Sequence, residues 1–343
     1  MVAELCVSSC RGLARDLAFW SMTSPTINEP VLPEATMHAC RPNEPATGVV
    51  TKNELCTAGR KSAGFVRHVE IDVSGTALEG VCRSGQAIGI IPPGEDARGR
   101  PHRLRLYSLA CPTGGEDGEG KIISTTVKRT IDEHWENHKL FLGVASNYLC
   151  DVQEGEKVLL TGPNGKRFLL PEDPHQHDYM FFATGTGIAP FRGMVLELLR
   201  GGYKGNVTLV MGAPYATDLL YHNELLALRD AHPNFRYLPA ISRENNVIDG
   251  TSHDTMYVQD RIKTDAEALR AQLVGEKNLI YVCGVAGMEL GIFQQLAKSL
   301  TGDSLEQYLQ ADREALADID NWDRRMIHKQ VKPTRRVMLE VYA

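Results

Sequence analysis

The pattern of apolar residues changes near Pro171, and this change constrains the fold more than any other feature of the sequence. Before Pro171 the apolar runs are short, as in strands, and turns rich in Gly and Pro separate them. Six such runs cover residues 49–50, 65–73, 87–91, 104–109, 121–127 and 157–161. Six short strands without helices between them predict a small antiparallel β-barrel.

After Pro174, strand-like and helical patterns alternate. An apolar run at 179–183 ends in a glycine turn, and the next segment carries apolar residues at the spacing of one helix face. These residues are Phe191, Met194, Val195, Leu198 and Leu199. Further strand-like runs cover residues 207–211, 235–241, 279–283 and 337–341. Strands separated by helices predict a doubly wound α/β domain with a parallel sheet.

The bulk composition limits the class of protein. A chain of 343 residues with 43% hydrophobic residues is long enough for two folded domains. A net charge of −6 argues against a nucleic-acid partner, and no apolar run reaches the length of a membrane helix. The eight cysteines form no Cys-x-x-Cys pair, so we predict no metal site and a reducing, cytoplasmic location.

We divide the chain into an extension (residues 1–40), a barrel domain (41–171) and an α/β domain (175–343). The extension has more acidic residues than organelle transit peptides carry, and it lacks the charged start and apolar core of a secretory signal. We expect a partly ordered extension, with a docking arm or a residual targeting segment as the alternatives.

Two motifs combine groups that bind nucleotides. Arg105-Leu106-Tyr107-Ser108 ends a predicted strand, and its arginine, ring and hydroxyl can hold a pyrophosphate, a flat heterocycle and a ring nitrogen. Thr184-Gly185-Thr186-Gly187-Ile188-Ala189-Pro190 stands between an apolar strand and a helix. Its glycines let backbone amides approach a pyrophosphate at the helix N-terminus, and Pro190 fits the first turn.

With these motifs, the segments 85–90, 126–129 and 143–149 and the ending Leu339-Glu340-Val341-Tyr342 resemble the plant-type ferredoxin–NADP⁺ reductase family. The resemblance covers roughly residues 40–342. It implies a flavoenzyme in which an FAD-binding barrel precedes an NADP(H)-binding α/β domain. FAD would be the cofactor and NADP(H) a substrate, with hydride transfer between their rings.

The resemblance also implies the residues that bind each nucleotide. For FAD they are Arg105, Leu106, Tyr107, Ser108, Thr126, Lys128, Gly143, Val144, Ala145, Ser146, Thr186 and Tyr342. For NADP they are Lys128, Thr184, Gly185, Thr186, Gly187, Ser242, Arg243, Tyr257, Gln259, Cys283, Gly284 and Met288.

Four of the matching positions would be catalytic: Ser108, Cys283, Glu340 and Tyr342. In the family pattern the cysteine touches the nicotinamide, and the final aromatic residue stacks on the flavin and moves aside for turnover. Glu340 would hydrogen-bond Ser108 and carry protons. The additional Ala343 is expected to change how easily the ring of Tyr342 is displaced.

The sequence departs from the family at both nucleotide sites. Relatives place an aromatic residue for the FAD adenine near the position of Asp132, and here Trp135 or His134 is the candidate substitute. They often carry a basic residue at the position of Thr255, two residues before Tyr257. Losing one cation costs about 1–2 kcal/mol in phosphate binding, so we predict a real but weakened preference for NADP over NAD.

The function implied is electron transfer between NADP(H) and ferredoxin, with flavodoxin as an alternative carrier, by a monomer. Two alternatives stay open: a reductase component that supplies NADPH electrons to an oxygenase such as a benzoyl-CoA epoxidase, and a catalytically silent nucleotide-binding or docking protein. The family's partners are acidic, so a basic patch should dock them. Candidate cations are Arg98, Arg100, His102, Arg103, Arg324, Arg325, Lys329, Lys332, Arg335 and Arg336.

Overall fold

The structure is a computed structural model that describes residues 29–58, 62, 64–248 and 250–342. Its first half contains eight strands and one helix. They are β1 (Ala46–Leu55), β2 (Val66–Asp72), β3 (Ala87–Ile91), β4 (Arg105–Ser108), β5 (Ile122–Lys128), β6 (Ile131–Glu133), β7 (Leu140–Leu142), α1 (Val144–Asp151) and β8 (Lys157–Asn164). Six of the strands form one antiparallel sheet in the order β4-β3-β8-β1-β2-β5.

The two edge strands of this sheet meet and close the barrel. Leu109 and Thr125 form an antiparallel bridge, and the amide of Ala110 donates to the carbonyl of Ser124 at 2.8 Å. Inside, Val69 and Ile71 are fully buried, while Glu70 between them points outward, as the two-residue period of a strand requires. The predicted barrel and its six strands are confirmed.

The second half contains nine strands and seven helices within the described residues. They are β9 (Asp178–Thr184), α2 (Ile188–Arg200), β10 (Val207–Ala213), α3 (His222–Ala231), β11 (Phe235–Ile241), β12 (Asn246–Ile248), β13 (Thr251–His253), α4 (Asp260–Thr264), α5 (Ala266–Val274), β14 (Asn278–Val285), α6 (Met288–Ser299), α7 (Asp303–Glu306), β15 (Leu309–Ala311), α8 (Arg313–Ala317), β16 (Val331–Pro333) and β17 (Val337–Tyr342).

The core of this half is a parallel sheet in the order β11-β10-β9-β14-β17, and it confirms the predicted α/β class. Side chains of the central strand β9 alternate between two hydrophobic cores. Phe181 packs with Phe191 of α2 on one face, and Phe182 lies in the cluster of Phe293 of α6 on the other. Both faces of the sheet are therefore covered, as in doubly wound folds.

Helix α2 also fastens the two halves together. The buried Arg192 donates to the carbonyl of Ala110 at 3.0 Å and to the carboxylate of Glu116 at 2.6 Å. Glu197, one turn farther on, accepts from the hydroxyls of Ser84 and Thr113, each at 2.7 Å. These bonds place the start of α2 next to the barrel, and the candidate site lies there.

Residues 29–40 lie across both halves. Glu29 pairs with Arg335 at 2.9 Å, the carbonyl of Val31 accepts from Glu172, and Cys40 pairs with Gly162. Residues 1–28 lie outside the described residues, so the expectations for that part stay predictions. Among the helices that the structure describes, none has the length and apolar character needed to cross a membrane.

Candidate functional site

A cavity of about 620 Å³ opens on the barrel beside the end of β4. We call it the barrel cavity. Its lining residues are Asp96, Arg100, Pro101, His102, Arg103, Arg105, Leu106, Tyr107, Thr130, Phe141, Gly143, Val144, Ala145 and Ser146. Seven of the predicted FAD residues are thus brought together: Arg105, Leu106, Tyr107, Gly143, Val144, Ala145 and Ser146.

The barrel cavity is suited to an anion. Arg103 and Arg105 line it without an ion-pair partner among the described residues, whereas Arg100 is held by Asp96 at 2.7 Å. Helix α1 begins at the cavity wall, directly after Gly143, so the unpaired amides of its first turn face the same space. The hydroxyl of Ser146 is already engaged, because it donates to the carbonyl of Gly143.

Apolar surfaces are exposed in the same cavity. Leu106 and Phe141 are 56% and 52% exposed, and the ring of Tyr107 is half-buried. Burial raises the pKa of Tyr107 to about 12, so its phenol stays protonated at neutral pH. A ligand with flat rings and phosphate groups would cover these surfaces and pair the free cations. The residues present therefore fit FAD.

A second cavity, of about 590 Å³, lies at the carboxyl edge of the parallel sheet. We call it the sheet-edge cavity. The strand order reverses between β9 and β14, and ligands of doubly wound folds bind outside such a point. Eight predicted NADP residues line it: Lys128, Thr184, Gly185, Thr186, Ser242, Tyr257, Gln259 and Met288.

Arg243 stands beside this cavity and does not line it. Its amide donates to the carbonyl of Pro214, and its exposed side chain makes no ion pair with any residue that the structure describes. Tyr257, which is 64% exposed, presents its ring to the cavity. Lys128 comes from the barrel, so both halves of the molecule contribute to the sheet-edge cavity.

Tyr342 marks the junction between the two halves. Its hydroxyl lies 2.8 Å from the hydroxyl of Thr186, and its pKa is raised to about 12 by burial. The turn Gly185–Gly187, which contains Thr186, packs against β5 of the barrel. Thr125 of β5 donates in turn to the carbonyl of Ser108 at 2.8 Å. A continuous set of contacts thus connects Tyr342 with the end of the Arg-Leu-Tyr-Ser motif.

Beneath Tyr342, Cys283 and Glu340 are neighbours on paired strands β14 and β17. Cys283 is 1% exposed, and burial, with the nearby Glu340, holds the pKa of its thiol well above its usual range. Burial also raises the pKa of Glu340, whose Oε2 has no hydrogen-bond partner among the described residues. Both groups therefore favour their protonated forms.

The predicted hydrogen bond between Glu340 and Ser108 does not form in this structure, so that prediction is wrong. Ser108 and Glu340 both lie near the junction, but their side chains form no hydrogen bond in the part of the chain described, and the orphaned Oε2 reflects this. A carboxyl group with a raised pKa and no donor beside it is available to hold a proton.

Several other predicted residues occupy structural positions. Thr126 is 4% exposed, lines neither cavity and bonds to the hydroxyl of Tyr221 at 2.6 Å. Gly187 packs against the carbonyl of Cys283 so closely that a side chain would collide with it. Gly284, at φ +149°, packs in the same way against Thr184. Sequence motifs cannot distinguish such packing positions from ligand contacts.

The candidate substitutes for the adenine-binding aromatic residue are placed away from the barrel cavity. Trp135 is 83% exposed, and neither it nor His134 lines the cavity. Phe141, which the sequence reasoning did not consider, does line it. Asp132 pairs with Phe141 across the hairpin of β6 and β7. Phe141 could not be predicted as a lining residue because the sequence does not reveal that these two short strands pair.

Only some of the cations in the two predicted basic patches are exposed and unpaired. Arg98, Arg100 and Arg103 are exposed around the barrel cavity. In the C-terminal group, Arg336 is 1% exposed and bonds to Gln307, so its place in a docking patch is wrong. Arg324 pairs with the buried Glu289, and Arg335 with Glu29. Arg325, Lys329 and Lys332 remain exposed.

Known proteins are similar to this chain in sequence and in fold. A family model described as an oxidoreductase NAD-binding domain matches residues 181–293. A ferredoxin–NADP reductase of Spirulina sp is 41% identical over 74% of this chain and 85% of its own. A chloroplastic leaf-type isozyme of ferredoxin–NADP reductase from Nicotiana tabacum is 40% identical over 74% of this chain and 69% of its own. The chain belongs to the ferredoxin–NADP reductase family.

The fold comparison agrees with this membership. A solved ferredoxin–NADP⁺ reductase from Plasmodium falciparum covers 88% of this chain and 98% of its own, with a TM-score of 0.64. At 24% sequence identity, this likeness concerns the fold alone. The two-part architecture of this family member therefore extends over nearly the whole described chain.

Proposed function

We propose that this chain is a ferredoxin–NADP⁺ reductase that uses FAD to move electrons between NADP(H) and ferredoxin. NADPH gives up two electrons and leaves as NADP⁺ with one proton released, and two ferredoxins each accept one electron. The observation that carries the proposal is the position of Tyr342, which lines the sheet-edge cavity and is bonded through Thr186 to the turn that packs against β5 of the barrel.

The barrel cavity would hold FAD. When bound, the flavin exchanges an electron pair with a nicotinamide and single electrons with an iron–sulfur carrier. Arg103, Arg105 and the start of α1 would bind its diphosphate, and Tyr107 would lie against a ring. Ser108 ends β4 at the junction, where its hydroxyl is free to approach a ring nitrogen.

The sheet-edge cavity would admit NADP(H). Thr184, Gly185 and Thr186 line its floor near the start of α2, where backbone amides favour a pyrophosphate. Ser242 and the unpaired Arg243 would recognise the 2′-phosphate, since an arginine there distinguishes NADP from NAD. Thr255 supplies no second cation, which supports a moderate preference for NADP.

Tyr342 would control access of the nicotinamide. The ring is 43% exposed at the cavity wall and is held by its bond to Thr186, a contact of about 1 kcal/mol. Such a bond is strong enough to order the ring and weak enough to be replaced by a ligand. Glu340 below it would take and return the proton that NADP(H) chemistry requires.

The partner would be ferredoxin, with flavodoxin as a second acidic carrier. Exposed Arg98, Arg100 and Arg103 around the barrel cavity would attract it near the flavin. We also propose that the chain acts as a monomer in a reducing compartment, the cytoplasm. The six cysteines in the described part are free and buried, which supports that choice of compartment.

An anaerobic titration of the purified chain tests the proposal. Visible absorption of bound flavin should bleach rapidly with NADPH and slowly with NADH. Added oxidised ferredoxin should then restore the absorption. Bound flavin that NADPH leaves unbleached would refute the enzyme, and bleaching that ferredoxin cannot reverse would refute the partner.

A further inference from the structure

The hairpin of β6 and β7 presents two different faces. Asp132 lies opposite Phe141, and Ile131 and Glu133 lie opposite Leu142 and Leu140. Because side chains alternate along a strand, Asp132 and Phe141 share one face, and the three other apolar side chains share the opposite face.

Phe141 is the hairpin residue that meets the barrel cavity. It lines that cavity, whereas Leu140 and Leu142 on the opposite face do not. Its ring is 52% exposed, which leaves a large flat apolar surface open at the cavity wall. Trp135 at the hairpin end is more exposed, at 83%, but lies outside the cavity.

The cavity therefore has two aromatic surfaces, and each has an anion-binding group beside it in the chain. Tyr107 follows Arg105 by two residues on β4, so the two side chains share a face. Phe141 precedes Gly143 by two residues, and the free amides at the start of α1 follow directly. This alternation of ring, anion-binding group and ring matches a dinucleotide, which has a ring system at each end of a diphosphate.

We propose that Phe141 binds the adenine ring of FAD, as the counterpart of Tyr107 on the flavin side. The proposal rests on FAD occupying the barrel cavity, as the proposed function requires. It assigns the selection of FAD over FMN to one residue of the second hairpin strand. FMN has no adenine, so Phe141 has nothing to bind in it.

Titration of the flavin-free full-length chain with FAD and with FMN tests the assignment through dissociation constants, without any turnover. Phe141→Ala should weaken FAD binding about tenfold, as loss of a base–aromatic stack does, and leave FMN binding unchanged. Phe141→Trp should restore FAD binding. Leu142→Ala is the matched control, because Leu142 is 54% exposed on the adjacent position of the opposite face.

Each outcome separates this inference from the proposed function. Unchanged FAD affinity in Phe141→Ala, or equal losses for FAD and FMN, would overturn the role of Phe141 and leave the enzyme standing. A loss in Leu142→Ala as large as in Phe141→Ala would mean that hairpin stability, not stacking, sets the affinity. A wild-type chain that binds neither flavin would overturn both.

Discussion

The two cavities bind nucleotides by different physical means. In the barrel cavity the anion-binding groups are the side chains of Arg103 and Arg105, together with the start of helix α1. The rings of Tyr107 and Phe141 are open to a ligand in the same cavity. In the sheet-edge cavity, backbone at the glycine turn forms the floor, and Arg243 stands outside. Tyr342 closes one side through its bond to Thr186.

This difference accounts for a cofactor that stays and a substrate that leaves. Exposed apolar rings are covered, and unpaired arginines gain a charge-assisted partner, only when the ligand is bound, so both features favour the bound state. The sheet-edge cavity also presents Lys128 and the exposed ring of Tyr257, but a nicotinamide must displace Tyr342 from its bond to Thr186 in order to enter, so its ligand can be released. We therefore expect that replacing an arginine of the barrel cavity strongly weakens FAD binding, whereas replacing Arg243 beside the sheet-edge cavity weakens the binding of NADPH but not of NADH.

The largest effect should come from Arg105→Ala. Removing a charge-assisted contact to a diphosphate should raise the dissociation constant for FAD about a hundredfold. Arg100→Ala is the control, because Asp96 already pairs with Arg100 and its loss should matter much less. Equilibrium titration of the flavin-free chain measures both, and equal losses would show that general positive charge, not Arg105, binds the cofactor.

A smaller and more selective effect is expected for Arg243→Ala. The KM for NADPH should rise about tenfold while the KM for NADH stays unchanged, because only NADPH carries the 2′-phosphate. Steady-state kinetics with both nucleotides gives the ratio. Arg229→Ala, an exposed arginine paired with Asp230 away from both cavities, should change neither. Parallel losses for NADPH and NADH would contradict the assignment.

The smallest effect concerns the stability contributed by Glu340. Its folded-state pKa is raised by burial, so the folded chain binds the proton more tightly than the unfolded chain. Ionisation therefore costs stability as pH rises from the ordinary value of 4.5 through the folded pKa. Glu340→Gln should match the wild type in Tm at acidic pH and exceed it at neutral pH.

Thermal melts of wild type and Glu340→Gln across that range provide the measurement. Asp312→Asn, an exposed carboxylate on the same half, should show no such divergence. A Tm difference that stays constant with pH would mean that Glu340 is not held protonated in the folded chain.

Much of the architecture follows from local sequence patterns. The strands at 87–91 and 235–241 have the predicted bounds, because apolar periodicity and turn residues act over a few positions. The helix face from Phe191 to Leu199 is buried as expected. The glycine turn and the Arg-Leu-Tyr-Ser strand were placed by their motifs.

The features that could not be predicted from the sequence depend on contacts between segments that are distant along the chain. Phe141 reaches the barrel cavity only through its register with Asp132, and strands of three residues leave little periodic signal. Arg336 was predicted on the surface because it is charged, yet its bonds to Gln307 and Glu276 hold it inside. The missing bond between Ser108 and Glu340 likewise depends on how two distant strands approach.

In the proposed function, Tyr342 occupies the entry through which the nicotinamide reaches the junction between the two halves. Tyr342→Ser removes the ring, and equilibrium titration with NADP⁺, followed by absorption changes of the bound flavin, measures the result. We expect tighter NADP⁺ binding and a larger change of the flavin spectrum than in the wild type. Tighter binding should also appear with NAD⁺, since both carry the same ring. Unchanged affinity and an unchanged spectrum would show that Tyr342 does not occupy this entry.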